Sequence, residues 1–454
     1  MKKVVLLVAL ASVVWSCSKT EDVVEIVPDP PKELALDNTI AIKWAEATLY
    51  HIKHQPNNSP TYLSRALGYV GLTMYESIAP GSIEYKSIAT ELNGLGALPM
   101  PADAKKIDWE TSLNAGQAYI IKKMWFNSHS IYNTRIDSLE TAIEKERLLA
   151  VKDSSIITNS KKYGISIAEK IYQWSVNDGG HQGNLNVQDM NYMYPQGLGF
   201  WSPPFGGQAA LPYPMHPKWG QNRTFIKASS EIPVPEALKY STDKSSAYYK
   251  EFKEVYDITL GLTQEQKEIA LWWGDDPAVS AAPPGHSYNL GKLLIAQQKV
   301  NLFKAAETFA KVGMSVADAF ICCFKVKYTY HSERPTGYIR RNINGSFNQF
   351  WPEPPFPAFT SGHSTQAAAN ATVLISVFGN EVTFEDNTHV GRPKDEFRNV
   401  EFKKRTFTKI WDTALECGIS RLYGGIHTSQ DNTLGLEMGK TIGESINKLS
   451  WKVK

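Results

Sequence analysis

Three short stretches of this 454-residue chain carry side chains that handle oxyanions. In KYTYHSERP, Lys327 and Arg334 stand seven residues apart, a spacing that on a helix puts both on nearly one face, two turns from each other. Pro335 disfavours α geometry in the residue before it, which predicts a helix end at Arg334 and lets both cations reach inward to one point. In FPAFTSGHSTQAAAN, Ser361-Gly362-His363 opens a run of helical character. The free N–H groups and positive dipole end of a helix start make an anion site. Gly362 has no Cβ to keep an oxyanion off the backbone, Ser361 adds a hydroxyl, and His363 adds a group that gives or takes a proton. In SRLYGGIHTSQD, Arg421 precedes His427 by six residues, about 120° apart on an unbroken helix. Gly424-Gly425 offers the break that turns both to one centre. Asp431, four residues after His427, is placed to accept the N–H of its other ring nitrogen.

Each stretch alone has a plainer reading: a capped helix with a surface histidine, a solvated basic face (the better account of Lys325, Arg340 and Arg341), or a structural His–Asp pair. Together they supply one lysine, two arginines, a hydroxyl, a glycine N–H and two histidines. That set suits a tetrahedral or trigonal-bipyramidal oxyanion with one histidine at an apex.

The elements that must position these groups are helices. Apolar residues recur at helical intervals over residues 36–54, and Ser59-Pro60 supplies a cap and first-turn proline for a helix ending near Ser82. Further helices are predicted near 109–126, 129–151, 153–177, 244–258, 263–275, 286–331, 363–378, 402–423 and 430–449. Strand signals are few, so the pattern predicts an all-α fold of helical bundles. Residues 178–235, dense in Gly, Pro and aromatics, are the exception, and so long a non-helical stretch is expected to pack as a layer over the core. No composition shift divides residues 36–454, which read as one domain.

At the N-terminus, Met1-Lys2-Lys3 and the apolar run 4–14 read as a secretory signal over residues 1–16, too short to span a bilayer. Cys17 behind the small Ser16 resembles the lipid-attachment site of bacterial lipoproteins, with Trp15 as a departure. Residues 17–35 then read as a flexible tether, and the chain is expected to be extracytoplasmic, touching a membrane only through its lipid anchor. Without Lys2 and Lys3, 46 basic residues balance 46 acidic ones, which gives no footprint for nucleic acid. Cys322, Cys323 and Cys417 match no zinc spacing and are expected to be buried.

The three stretches, K-x6-R-P, P-x-F-x-S-G-H and S-R-x5-H-x3-D, resemble the signature shared by vanadium-dependent haloperoxidases and PAP2-type acid phosphatases. The resemblance implies two four-helix bundles with a long Gly/Pro/Trp-rich segment. It implies vanadate as cofactor, with Lys327, Arg334, Ser361, Gly362 and Arg421 on its equatorial oxygens. His427 would bind the metal axially, His363 would be the acid-base group, and Asp431 would support His427. The partners implied are hydrogen peroxide, a halide and an organic acceptor, if one is used. Phe356, five residues before Ser361, and Phe324 stand at the implied halide pocket, in a pattern that leans towards a bacterial iodoperoxidase oxidising iodide first and bromide next. Phe324 in place of Trp, Thr360 in place of Pro, and Glu333 beside Arg334 depart from the family pattern. In the phosphatases the same positions would serve a phosphohistidine at His427. A glycan-binding surface lipoprotein is the non-enzymatic rival, and it makes the three motifs coincidental. Trp272, Trp273 and His286 read equally as an active-site entrance or as core.

Overall fold

The computed structural model describes residues 33–55, 58–204, 213–276 and 279–453, so the signal, Cys17 and the tether up to residue 32 lie outside it. After α1 (Thr39–Lys53), side-chain oxygens start most of the long helices. Ser59 accepts the Tyr62 N–H ahead of α2 (Pro60–Glu76), whose first residue is a proline at a place that needs no donor. Asp108 caps α3 (Trp109–Met124), and Asp153 caps α5 (Ser154–Val176) behind α4 (Ser130–Val151). Helices α2 to α5 pack on one another as the first bundle.

The chain then leaves helix. Among the described residues of 178–235 there are only single turns and the short α6 (Lys227–Ser230). The described part of this segment lies against the second bundle: Trp201 and Trp219 are buried, the Trp201 N–H bonds the His331 carbonyl at 2.6 Å, and the Phe225 N–H bonds Asp318 at 2.7 Å. It is the covering layer that its composition predicts.

Next come α7 (Ala247–Leu260), α8 (Gln264–Trp272), α9 (Ala282–Gln298) and α10 (Leu302–Tyr330). They are followed by α11 (Pro335–Asn342), α12 (Gly362–Phe378), α13 (Ile410–Tyr423) and α14 (Ser429–Asn447). Helices α10, α12, α13 and α14 form the second bundle. The bundles meet where α2 crosses α10. A Cβ on Gly71 would strike the Phe309 carbonyl, and one on Gly313 would strike the Leu67 carbonyl, so these glycines let the two backbones touch. The same device closes α14 on α12, with Gly439 against the Thr365 carbonyl. The described strands are one antiparallel pair, β1 (Phe384–Asp386) and β2 (Arg405–Phe407), with Phe384 opposite Phe407. The fold is all-α, and no described helix is long and apolar enough to cross a membrane.

Three sequence expectations are corrected. The helix predicted over 286–331 is two: Lys299 turns left-handed at φ 48°, and Asn301 caps a new start by accepting the Lys304 N–H. The helix expected from 402 starts at Ile410, because the preceding residues pair as β2. The helix bearing Lys327 stops at Tyr330, with His331 left-handed at φ 50°, four residues before the Arg334 end that Pro335 predicted.

Candidate oxyanion site

Lys327 and Arg334 converge, though not as two turns of one helix. Lys327 projects from the last turn of α10, while Arg334 stands in extended conformation (φ −84°, ψ 155°) as the residue ahead of α11, the geometry proline imposes on its predecessor. Lys327 Nζ donates to the carbonyls of Pro357 (2.9 Å), Ala358 (2.7 Å) and Thr360 (2.6 Å). Arg334 donates to the Phe356 carbonyl from Nε (3.1 Å) and Nη2 (2.9 Å), and from Nη1 to the Ile426 carbonyl at 3.0 Å. Both cations are thereby tied to the turn leading into α12.

Ser361 caps that helix, accepting the Ser364 N–H at 3.3 Å and lying 2.9 Å from the Ser364 hydroxyl. Its own N–H bonds the Asp431 carbonyl at 3.0 Å, which binds the turn to α14. A Cβ on Gly362 would lie 3.9 Å from Cys323 Sγ and 4.0 Å from Lys327 Cε, ordinary contact distances. The fold therefore has room for a side chain here, and glycine keeps that volume clear for something else.

On the third stretch, Gly425 at φ 73° turns the chain out of α13, and Thr428 with Asp431 caps α14 reciprocally. His427 Nδ1 lies 2.8 Å from Asp431 Oδ2, and His427 Nε2 lies 3.0 Å from Arg334 Nη1. Since guanidinium only donates, Nε2 must carry the lone pair and Nδ1 the proton. Burial, then Arg334 and Lys327, hold His427 well below the usual histidine range, so this neutral tautomer persists. Arg421 Nη1 donates to the Trp273 carbonyl at 3.0 Å, and its Nε is buried with no partner. His363 Nε2 is likewise enclosed and unpartnered, and burial followed by Arg421 depresses its pKa far below the usual value. Phe356 lies under both cations, 5.1 Å from Lys327 Nζ and 5.2 Å from the Arg334 guanidinium, with Phe324 at 5.3 Å beyond it.

The electrostatics are lopsided. Lys327, Arg334 and Arg421 are all buried, and among the described residues none has a carboxylate within 4.0 Å. Burial pulls Lys327 down to about 8 and Arg334 to about 10. Glu333 does not neutralise Arg334: its carboxylate turns outward to Arg341 and to the Tyr248 hydroxyl. Three desolvated cations, a hydroxyl-and-glycine cradle and an imidazole lone pair beside Arg334 fit an oxyanion of two or more negative charges. Lys325, Arg340 and Arg341 stay on the exposed surface. Cys322, Cys323 and Cys417 are buried free thiols, Cys323 beside Thr360 and Cys417 beside the His363 carbonyl.

Behind the site lies a cluster that motif spacing did not disclose. Trp272 and Trp273 are core, 2% exposed each, and so is His286 at 1%, so none of them lines an entrance. His286 Nδ1 lies 2.8 Å from Asp275 Oδ2 and its Nε2 lies 2.8 Å from Asp386 Oδ2. His389 Nε2 sits 2.8 Å from Asp275 Oδ1, without the alignment of a hydrogen bond. Against the pull of burial, the two carboxylates lift His286 to about 10, so it is an imidazolium donating from both nitrogens. The WWGDD run was the available signal, but its partners stand at 286, 386 and 389.

With this geometry in hand, comparison with known proteins gives consistent results. Residues 345–452 match the model of the second helical-bundle domain of vanadium chloroperoxidase. Over 275 residues the chain is 22% identical to vanadium chloroperoxidase of Curvularia inaequalis, a match covering 46% of this chain and 45% of that one, so the chain spans less than half the length of that curated relative. The crystal structure of the first bacterial vanadium-dependent iodoperoxidase superposes with a TM-score of 0.78 at 28% identity, covering 94% of this chain and 99% of the other. The chain is thus similar to the vanadium haloperoxidases in sequence and in fold. A holo-type bacterial vanadium-dependent chloroperoxidase follows at TM-score 0.65 and 15% identity, covering 92% and 98%, and shares the fold. These haloperoxidase relatives are enzymes. The bundle match takes in Ser361, His363, Arg421, His427 and Asp431, while Lys327 and Arg334 precede it.

Proposed function

We propose that this chain is a vanadium-dependent haloperoxidase that uses hydrogen peroxide to oxidise halide, iodide first and bromide next, to hypohalous acid. One observation carries the reading: three buried cations have no carboxylate within 4.0 Å, and one of them, Arg334, meets the unprotonated Nε2 of His427. Bound vanadate would supply a Lewis-acidic centre that activates peroxide towards halide with no change in metal oxidation state. Lys327, Arg334 and Arg421 would offset the charge on its oxygens, Ser361 Oγ and the Gly362 N–H would complete the cradle, and His427 Nε2 would be the ligating atom. Asp431 holds His427 in the tautomer that leaves that nitrogen unprotonated. His363, neutral and with Nε2 unpartnered, takes a proton from incoming peroxide and returns it. The iodide preference is supported by the likeness to the bacterial iodoperoxidase and by the apolar Phe356–Phe324 wall.

Apo-protein loaded with orthovanadate should form triiodide from iodide and peroxide, and His427→Ala should abolish it. Hydrolysis of p-nitrophenyl phosphate by metal-free protein, with no triiodide after loading, would make it a phosphohistidine phosphatase instead. The lipid-anchored, extracytoplasmic placement is part of the proposal and rests on the sequence around Cys17. Lipid labelling of the expressed chain, lost in Cys17→Ser, tests it.

A further inference from the structure

The rear cluster touches the site through one atom. The Trp273 carbonyl accepts Arg421 Nη1 at 3.0 Å and lies on the His363 side of the site, where it favours that imidazole's protonated form, so it holds one of the three cations beside the acid-base histidine. What holds Trp273 is therefore a question about the site. Trp273 is the first residue past α8, where no helical bond fixes its carbonyl, and the next residues leave helix altogether, with Asp275 left-handed at φ 50°. Its indole lies flat on the His286 ring, centroids 4.5 Å apart and planes 9° from parallel. Its Nε1 donates to Glu416 of α13 at 3.0 Å. His286 in turn cannot rotate, since Asp275 grips one nitrogen and Asp386 the other. Asp386 is fixed independently by the Trp272 indole (2.7 Å) and the Thr388 N–H (2.9 Å).

We propose that His286 is a positioning residue of the oxyanion site, clamped between Asp275 and Asp386 so that the ring stacked on it, and hence the Trp273 carbonyl, presents Arg421 and His363 to the bound anion. This rests on the functional reading above. It assigns a role to a histidine outside the three motifs, and it explains why a fully buried imidazole with two carboxylates sits behind a site whose cations have no carboxylate within 4.0 Å. An imidazolium is what the position requires, because it is planar for the stack and donates in opposite directions. A glutamine donates from one end only and turns a carbonyl oxygen on the other carboxylate.

The test is direct titration of apo-protein with orthovanadate by calorimetry, at a temperature where circular dichroism shows each variant folded. His286→Gln is expected to raise the vanadate Kd at least tenfold and, at saturating vanadate, to lower kcat for iodide oxidation while leaving the iodide KM unchanged. A purely structural role would lower Tm without that split. Adding Asp386→Asn to His286→Gln gives the new amide a matching donor, and should return the Kd to within about threefold of wild type. Folded His286→Gln with the wild-type Kd overturns the proposal. If His286→Gln does not fold, Asp386→Asn alone decides: a two- to fivefold weaker Kd supports the proposal, and an unchanged one ends it. Wild type that binds neither orthovanadate nor phosphate fails the functional reading itself, whereas wild type that binds beside an unaffected variant fails this inference alone.

Discussion

Two charged clusters lie back to back in this molecule, and they solve the problem of buried charge in opposite ways. In the rear, His286 faces two carboxylates at 2.8 Å each, and Asp386 collects an indole and a threonine as well. In front, Lys327, Arg334 and Arg421 face backbone carbonyls and the lone pair of His427. The rear supplies its own counter-charge, since the buried imidazolium has a carboxylate on each nitrogen. The front is complete only when something brings negative charge to it. Burial without a partner is costly, and a fold keeps such an arrangement where the missing partner is the ligand.

That contrast predicts opposite signs for similar substitutions. Asp275→Ala leaves a buried imidazolium short of one partner, and should cost about 3–5 kcal/mol of apo-protein stability in a denaturant titration. Arg421→Met removes a buried cation that has one carbonyl bond and an unpartnered Nε. It should leave apo-protein as stable as wild type or about 1–2 kcal/mol more so, while weakening orthovanadate at least a hundredfold. If both substitutions destabilise equally, the front cations are structural and the contrast is lost.

The ligand should reverse the imbalance. At 100 times its Kd, an anion that binds only folded protein adds about 2.7 kcal/mol. Orthovanadate should raise the Tm of wild type accordingly and leave Arg421→Met unmoved.

The two clusters also differ in how far the sequence discloses them. The front was legible because its residues fall in three local patterns, each with a mechanism: a cap at Ser361, a proline after Arg334, a glycine pair before His427. Even there the route was misread for one pair. Arg334 reaches Lys327 because the chain turns left-handed at His331 and extends, a choice made by the packing of residues 178–235 on that corner. The rear had no such pattern. Asp275, His286, Asp386 and His389 come from a loop, a helix and the neighbourhood of a strand, and nothing in local spacing pairs residue 286 with residue 386. Whether a buried polar residue meets its partner is decided by which helices pack, and that is tertiary information. The break at Lys299 was missed for a related reason: both sides carry strong helical periodicity, and only the Asn301 cap marks the seam.

Acidity offers a sharper probe of the front. Burial lowers Lys327 to about 8 from the usual lysine value, so above that pH the free site loses one of its cations. A bound anion favours the charged form. Affinity should therefore be full below about 8 and fall as pH rises through it, by at most about tenfold per pH unit, until the complex itself deprotonates. Orthovanadate changes its own protonation over this range, so the measurement is a comparison. Lys327→Arg, which stays charged, should keep its affinity to higher pH than wild type against the same anion. Parallel curves would mean that Lys327 does not carry the charge assigned to it.

The smallest effect is the most discriminating. Glu333 is the one acid next in sequence to a front cation, and if charge balance were settled by proximity along the chain, Glu333→Gln would tighten anion binding. The structure puts its carboxylate on Arg341 and Tyr248, and not within 4.0 Å of Arg334. Arg341 is 43% exposed while Glu333 is buried at 4%, so the carboxylate's charge is offset by Arg341, and the pair contributes little to the site's potential. Glu333→Gln should thus leave the orthovanadate Kd within about twofold of wild type, since the interaction it removes is a partly exposed one. A tenfold tightening would show that Glu333 reaches the site in solution, and the front would then hold a carboxylate after all.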